Sequence, residues 1–184
     1  MKNNFHISGW GKMFFALAII FIFGCGRKYN NPQQPNSSNT ERLRREISMR
    51  VNKEFVEEET EIIKEFISRK KWNMKTTGTG LWYMIYEHSK GEKAATGKIA
   101  TLEYTLSLLD STVCYSSAQL GQKSFQLGYG GVESGLEEGV LLLRVGDKAR
   151  MIMQPHLAHG LIGDNDCIPP RAIILYDVEL ISVK

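Results

Sequence analysis

The chain has little of what would mark a nucleic-acid, nucleotide or metal protein. Its 184 residues carry a formal charge of only +3, and no lysine–arginine block interleaves with aromatics, so no nucleic-acid partner is expected. Basic clusters such as Arg69-Lys70-Lys71 read as solvated helix ends. Four histidines and three cysteines are too scattered for a closed metal site. His6 and His88 have no partner at ligand spacing, and Pro155 and Gly160 make the stretch around His156 and His159 a loop. Gly128-Tyr129-Gly130-Gly131 lacks the Lys-Ser/Thr of a phosphate cradle and reads as a turn. Glu137 and Glu138 are adjacent, so on a helix they point different ways and do not form a catalytic pair. No internal repeat signals a solenoid. Neither a cofactor nor a metal is expected.

The apolar runs are also short. Lys2 and Lys12 precede Met13–Phe23, which is too brief to cross a bilayer comfortably and has the length of a signal-peptide core. It ends in Ile22-Phe23-Gly24-Cys25, the pattern of a bacterial lipobox with an unusually bulky Phe23. The expectation is a lipoprotein signal peptide over 1–24 and a lipidated Cys25 that anchors the chain to the membrane. The alternative is an uncleaved anchor. Either places the remainder in the cell envelope, with the periplasmic face of the outer membrane the favoured location. Removing Lys2 and Lys12 leaves a charge of +1. Gly26–Thr40 has one aromatic and no aliphatic residue, too little to offset the entropy of ordering. Residues 25–40 therefore read as a disordered tether with a span of roughly 20 Å.

Periodicity then organises the chain. Leu43, Ile47, Val51 and Phe55 recur at i+4, and Ile62, Ile63, Phe66 and Ile67 continue the stripe, which predicts a long amphipathic helix over 41–71. At about 45 Å it exceeds what a small sheet needs for cover. Its stripe either holds a homodimer or folds back on its own domain. After a loop over 72–80, Leu81–Glu87 reads as a first strand. Ile99–Leu108 alternates, with Leu102, Tyr104, Leu106 and Leu108 on one face. Further strands are expected at 113–117, 123–127, 148–153 and 173–181, and a short helix over 134–143. The fold class is α+β: a twisted antiparallel sheet wrapped around one short helix, forming a domain over 80–184.

Five motifs give that domain a family likeness. They are Phe125-Gln-Leu-Gly128, Glu137-Glu-Gly139-Val140, Val145-Gly-Asp-Lys-Ala149, Ile168-Pro-Pro170 and Tyr176-Asp-Val-Glu-Leu180, with Leu102-Glu-Tyr104-Thr and Tyr115-Ser-Ser117 upstream. Together they resemble the FKBP family of peptidyl-prolyl cis-trans isomerases over about residues 81–184. The resemblance implies an isomerase acting on proline-containing exported polypeptides. Tyr115 adds a likeness to lipid-anchored FKBP-type proteins of Gram-negative bacteria, including gliding-motility-associated ones. The implied site is an apolar pocket lined by Tyr104, Tyr115, Val132, Glu133, Leu136, His159, Ile168 and Tyr176, with Cys114 and Phe125 at its edge. The backbone N–H of residue 133 would hold the substrate carbonyl.

Several positions depart from the family pattern. Leu136 stands where a Trp floor is usual, His159 where a Tyr hydroxyl donates, Tyr176 for Phe, Tyr115 for Asp and Cys114 for Phe. The rival implication is a non-catalytic proline-peptide-binding or chaperone module. Leu136, Tyr115 and Lys123 favour it, whereas Tyr104, Val132, Ile168 and Tyr176 favour turnover. The resemblance also sets Cys114 and Cys167 on neighbouring pocket walls, either as a disulfide or as two small buried hydrophobes.

Overall fold

The computed structural model describes residues 37–184. The expected signal peptide at 1–24, the lipidated Cys25 and the tether as far as residue 36 lie outside the described residues. Residues 42–184 form one unit.

Helix α1 runs Ser37–Lys70. It begins four residues before the expected start, so Ser37–Thr40 are its first turn and not the end of a tether. Ser, Asn and Thr suit a helix N-terminus, and the strong helix formers behind them carry the turn forward. Only the second half of α1 meets the sheet. Ile63 and Phe66 are buried with Ile152 and pack beside Trp72, Trp82, Ile173 and Leu175. Leu43, Ile47 and Val51 remain exposed.

Seven strands follow: β1 (Lys75–Thr76), β2 (Trp82–Glu87), β3 (Ile99–Leu108), β4 (Val113–Ser116), β5 (Lys123–Gln126), β6 (Lys148–Met153) and β7 (Ile174–Val183). They form one antiparallel sheet in the order β1-β2-β6-β7-β3-β4, with β5 beside the first half of β3. Two short helices interrupt them, α2 (Ser117–Leu120) and α3 (Ser134–Val140). The sequence pattern did not disclose β1 or α2. Helix α3 is shorter than the expected 134–143. Leu142 and Leu143 donate to Gly139 and Val140 at i−3, so the chain tightens into a turn after Val140.

The core lies between the sheet and α3. The strand alternation places Ala100, Leu102, Tyr104 and Leu106 of β3 on one buried face, with Ile174, Tyr176, Val178 and Leu180 of β7 beside them. Against them lie Leu136, Val140 and Leu143, all fully buried. Helix α3 approaches β6 closely because Gly135 and Gly139 face it. A Cβ on Gly139 would come within 2.3 Å of the Met151 sulfur. Ile152, of opposite parity to Met151 and Met153, is buried because α1 covers the outer face there.

Candidate active site

Eight of the ten candidate side chains belong to the core cluster around α3, and Glu133 and His159 are tied to it through Tyr176. Tyr104 of β3 and Tyr176 of β7 stand with ring centroids 5.9 Å apart. Phe125, Leu136 and Ile168 share their cluster, with Cys114, Tyr115 and Val132 half-buried at its margin. Glu133 and His159 meet over this corner, where His159 Nε2 lies 3.1 Å from Glu133 Oε1. Ile168 and His159 come from the long connection between β6 and β7. Glu133 is the residue immediately before α3.

The interior is not the apolar pocket that the resemblance implies. Lys123 alternates with Phe125 on β5 and shares its inward parity. Its ammonium lies 5.2 Å from the centroid of the Tyr104 ring and 5.6 Å from that of Tyr176. It donates to the Tyr176 hydroxyl at 3.1 Å and stands 3.7 Å from Glu133 Oε2. The Tyr176 hydroxyl in turn donates to Glu133 Oε1 at 2.8 Å. The Glu133 carboxylate, whose side chain is 10% exposed, therefore sits at the centre of a polar network. A carboxylate this buried must be paired and hydrogen-bonded, and these partners satisfy it.

The ionisation states follow. Burial alone would raise the Glu133 carboxyl. Lys123, the residue's own backbone N–H, Tyr176 and His159 outweigh burial and hold it below the ordinary carboxylate range. Burial, followed by the Glu133 charge, raises Tyr104 and raises Tyr176 far more. At neutral pH the corner contains one carboxylate, one ammonium and two neutral phenols.

Four restraints fix the loops around these groups. Gly128, Gly130 and Gly131 all have positive φ, and the N–H groups of Gly128, Tyr129 and Gly130 donate to Glu137 Oε1 at 2.6–3.2 Å. Glu137 is thus a brace for the Val132–Glu133 segment, which is pinned and not a loose turn. Cys114 and Cys167 form a disulfide, with S–S 2.04 Å and Cα–Cα 5.4 Å. The Tyr115 hydroxyl donates to Asp164, whose other oxygen accepts the N–H groups of Asp166 and Ile168 at 2.9 and 2.8 Å. The hydrogen bond to Asp164 is the main cause that pushes Tyr115 up to about 12. His156 donates from Nε2 to the carbonyl of Thr79 at 3.0 Å.

Glu137 and Asp164 are participants that the sequence reading did not place in the site, and Lys123 it named only as favouring a binding module. Only Lys123 left a signal, through its parity with Phe125.

The comparisons with known proteins agree with this geometry. A family model described as FKBP-type peptidyl-prolyl cis-trans isomerase matches residues 90–181. FK506-binding protein 2 of Yarrowia lipolytica is 39% identical over 93 residues, covering 50% of this chain and 65% of that protein. FK506-binding protein 1 of Dictyostelium discoideum is 34% identical over 106 residues, covering 57% of this chain and 99% of that protein. The crystal structure of FkpA from Escherichia coli superposes with a TM-score of 0.60 at 28% identity, covering 82% of this chain and 74% of that one. On the α3-centred fold, the aromatic corner and these matches, the chain belongs to the FKBP-type peptidyl-prolyl cis-trans isomerase family.

Proposed function

We propose that this chain catalyses cis–trans isomerisation of prolyl bonds in exported polypeptides, at the corner bounded by Tyr104, Val132, Glu133, Leu136, His159, Ile168 and Tyr176. The observation that supports the reading is the aromatic–aliphatic corner of Tyr104, Leu136, Ile168 and Tyr176, with Glu133 beside it at the start of α3. Rotation about a prolyl amide needs no nucleophile, metal or proton carrier. The barrier is about 18–20 kcal/mol, and reaching the millisecond range requires lowering it by about 5–6 kcal/mol. The planar amide is more polar than the twisted one, so apolar walls favour the twisted form. One donor then holds the carbonyl as the bond turns.

In this chain the Glu133 carboxylate stands against Tyr176 and His159, and the two tyrosine rings lie beneath the Lys123 ammonium. A prolyl segment enters as the carboxylate swings aside while still paired to Lys123, which uncovers the rings. His159, at the mouth, supplies a second N–H. Cys114, Tyr115 and Phe125 shape the edge. The displacement required of Glu133 makes the expected rate modest.

Residues 1–24, Cys25 and the tether extend the reading to an envelope lipoprotein that works on exported chains from a membrane anchor. The exposed Leu43, Ile47 and Val51 of α1 are the surface through which two copies would pair. A purely proline-binding module is the second reading, favoured by the same Lys123–Glu133 pair. The deciding experiment is a protease-free isomerisation assay of the full chain on short peptides varied before proline. Acceleration weakened by both Tyr104→Ala and Tyr176→Ala supports catalysis at this corner. Folded protein that binds proline peptides without accelerating them supports the second reading.

A further inference from the structure

The connection between β6 and β7, residues 154–173, carries His159, Cys167 and Ile168, and it is fastened at both ends to α1. At its start Gln154, 1% exposed, donates through Nε2 to the carbonyl of Val56 and to Thr60 Oγ1, each at 3.0 Å. Near its end Arg171 donates from Nη2 to Glu59 Oε1 at 2.7 Å. The Arg171 guanidinium also lies 3.4 Å from the centroid of the Phe55 ring. Glu59 is a buried carboxylate on a helix whose neighbouring acids are exposed, and a lone buried charge is unfavourable without its partner. Arg171 has a φ of 58°, left-handed backbone that a non-glycine residue adopts only when its surroundings hold it there. Its backbone N–H donates to the carbonyl of Gly160 at 3.1 Å. An unbroken path therefore runs from Glu59 through Arg171 and Gly160 to His159, and from there to Glu133.

We propose that Arg171 is a positioning residue of the isomerase site, and that Glu59 and Phe55 of α1 hold it there. The proposal rests on the function read above and extends it: α1, which lies outside the matched residues 90–181, becomes part of the apparatus that sets His159 and Ile168. A wall that shifts loses substrate binding in the ground and transition states alike, which raises KM more than it lowers kcat.

The test uses the full chain at 10 °C with Arg171→Ala, Glu59→Ala and Glu59→Gln. The last keeps an oxygen that accepts from Arg171 and is the variant most certain to fold. Arg171→Ala and Glu59→Ala are expected to raise KM for a prolyl peptide about five- to tenfold with kcat within about threefold, and the double variant to add little to either. Glu59→Gln is expected to stay within about twofold of the parent. In parallel, NMR signals of the His159 ring and Ile168 methyls should move in both alanine variants, while those of Val183, at the far end of β7, stay in place. Unchanged His159 and Ile168 signals in folded variants, or KM within twofold of the parent, would overturn the proposal. A parent chain with no acceleration counts against the proposed function instead, and the NMR signals still decide the positioning.

Discussion

Lys123→Met tests the polar network most directly. The ammonium lies 3.7 Å from Glu133, with the two side chains 27% and 10% exposed. At an effective dielectric near 20 their gross attraction is about 4 kcal/mol, and removing one partner of a fully buried pair costs about 3–5 kcal/mol. Lys123 is partly solvated, and Glu133 keeps Tyr176 and His159, so the expected loss at pH 7 is about 1–2 kcal/mol. The sign with pH follows from Glu133, whose carboxyl is held below its usual value of 4.5. A depressed carboxyl contributes stability that is fully present above its unfolded value and lost as pH falls through the folded value. Lys123→Met lessens the depression, so the gap between variant and parent should close as both Glu133 carboxyls become protonated. Urea unfolding of the full chain from pH 7 down to pH 3 measures this. The double variant Lys123→Met/Glu133→Leu replaces the pair by apolar groups and should regain most of the loss. A loss below about 0.3 kcal/mol at pH 7, or one that is the same at every pH, would refute the coupling.

Other outcomes are expected from the same structure. Glu133→Ala releases Lys123 and the Tyr176 hydroxyl from their shared carboxylate and removes the side chain that must be displaced, so kcat/KM for short prolyl peptides should rise severalfold; a fall would show that the carboxylate assists catalysis. The Cys114–Cys167 bridge closes a loop with a sequence separation of 53, which corresponds to about 4 kcal/mol in the chain-entropy model. Unfolding with and without reductant measures it, and a thiol assay in denaturant should find neither Cys114 nor Cys167 free before reduction. Ile63→Ala, at a fully buried position of α1, should cost about 2–5 kcal/mol. Ile47→Ala, at a residue 50% exposed, should leave the fold intact and weaken self-association in sedimentation. An unchanged sedimentation profile from a dimeric parent would remove Ile47 from that interface.

The strand alternation of Ile99–Leu108, the i+4 stripe of α1 and the turn glycines were legible in the sequence because each is a local property of the backbone period. Proline and glycine motifs in the right order carried the family likeness, and with it the residues that converge beside α3. Where those residues' polar atoms go was not legible. The resemblance gave Glu133 a role through its backbone N–H alone and set Lys123 among the residues that favour a binding module, without joining the two side chains. They pair because β5 lies beside β3 and brings Lys123 to the residue that precedes α3. The two cysteines stand 53 residues apart in sequence, and only the folded loop sets them 5.4 Å apart at Cα. Likewise, nothing local in Glu59 distinguishes it from its acidic neighbours; its burial arises because Arg171, 112 residues away, lands on the same turn of helix. Local period and turn chemistry therefore determined most of the elements and the α+β class, and the motif resemblance pointed to the family, whereas the charge content of the site and its tie to α1 were decided by contacts that no sequence period encodes.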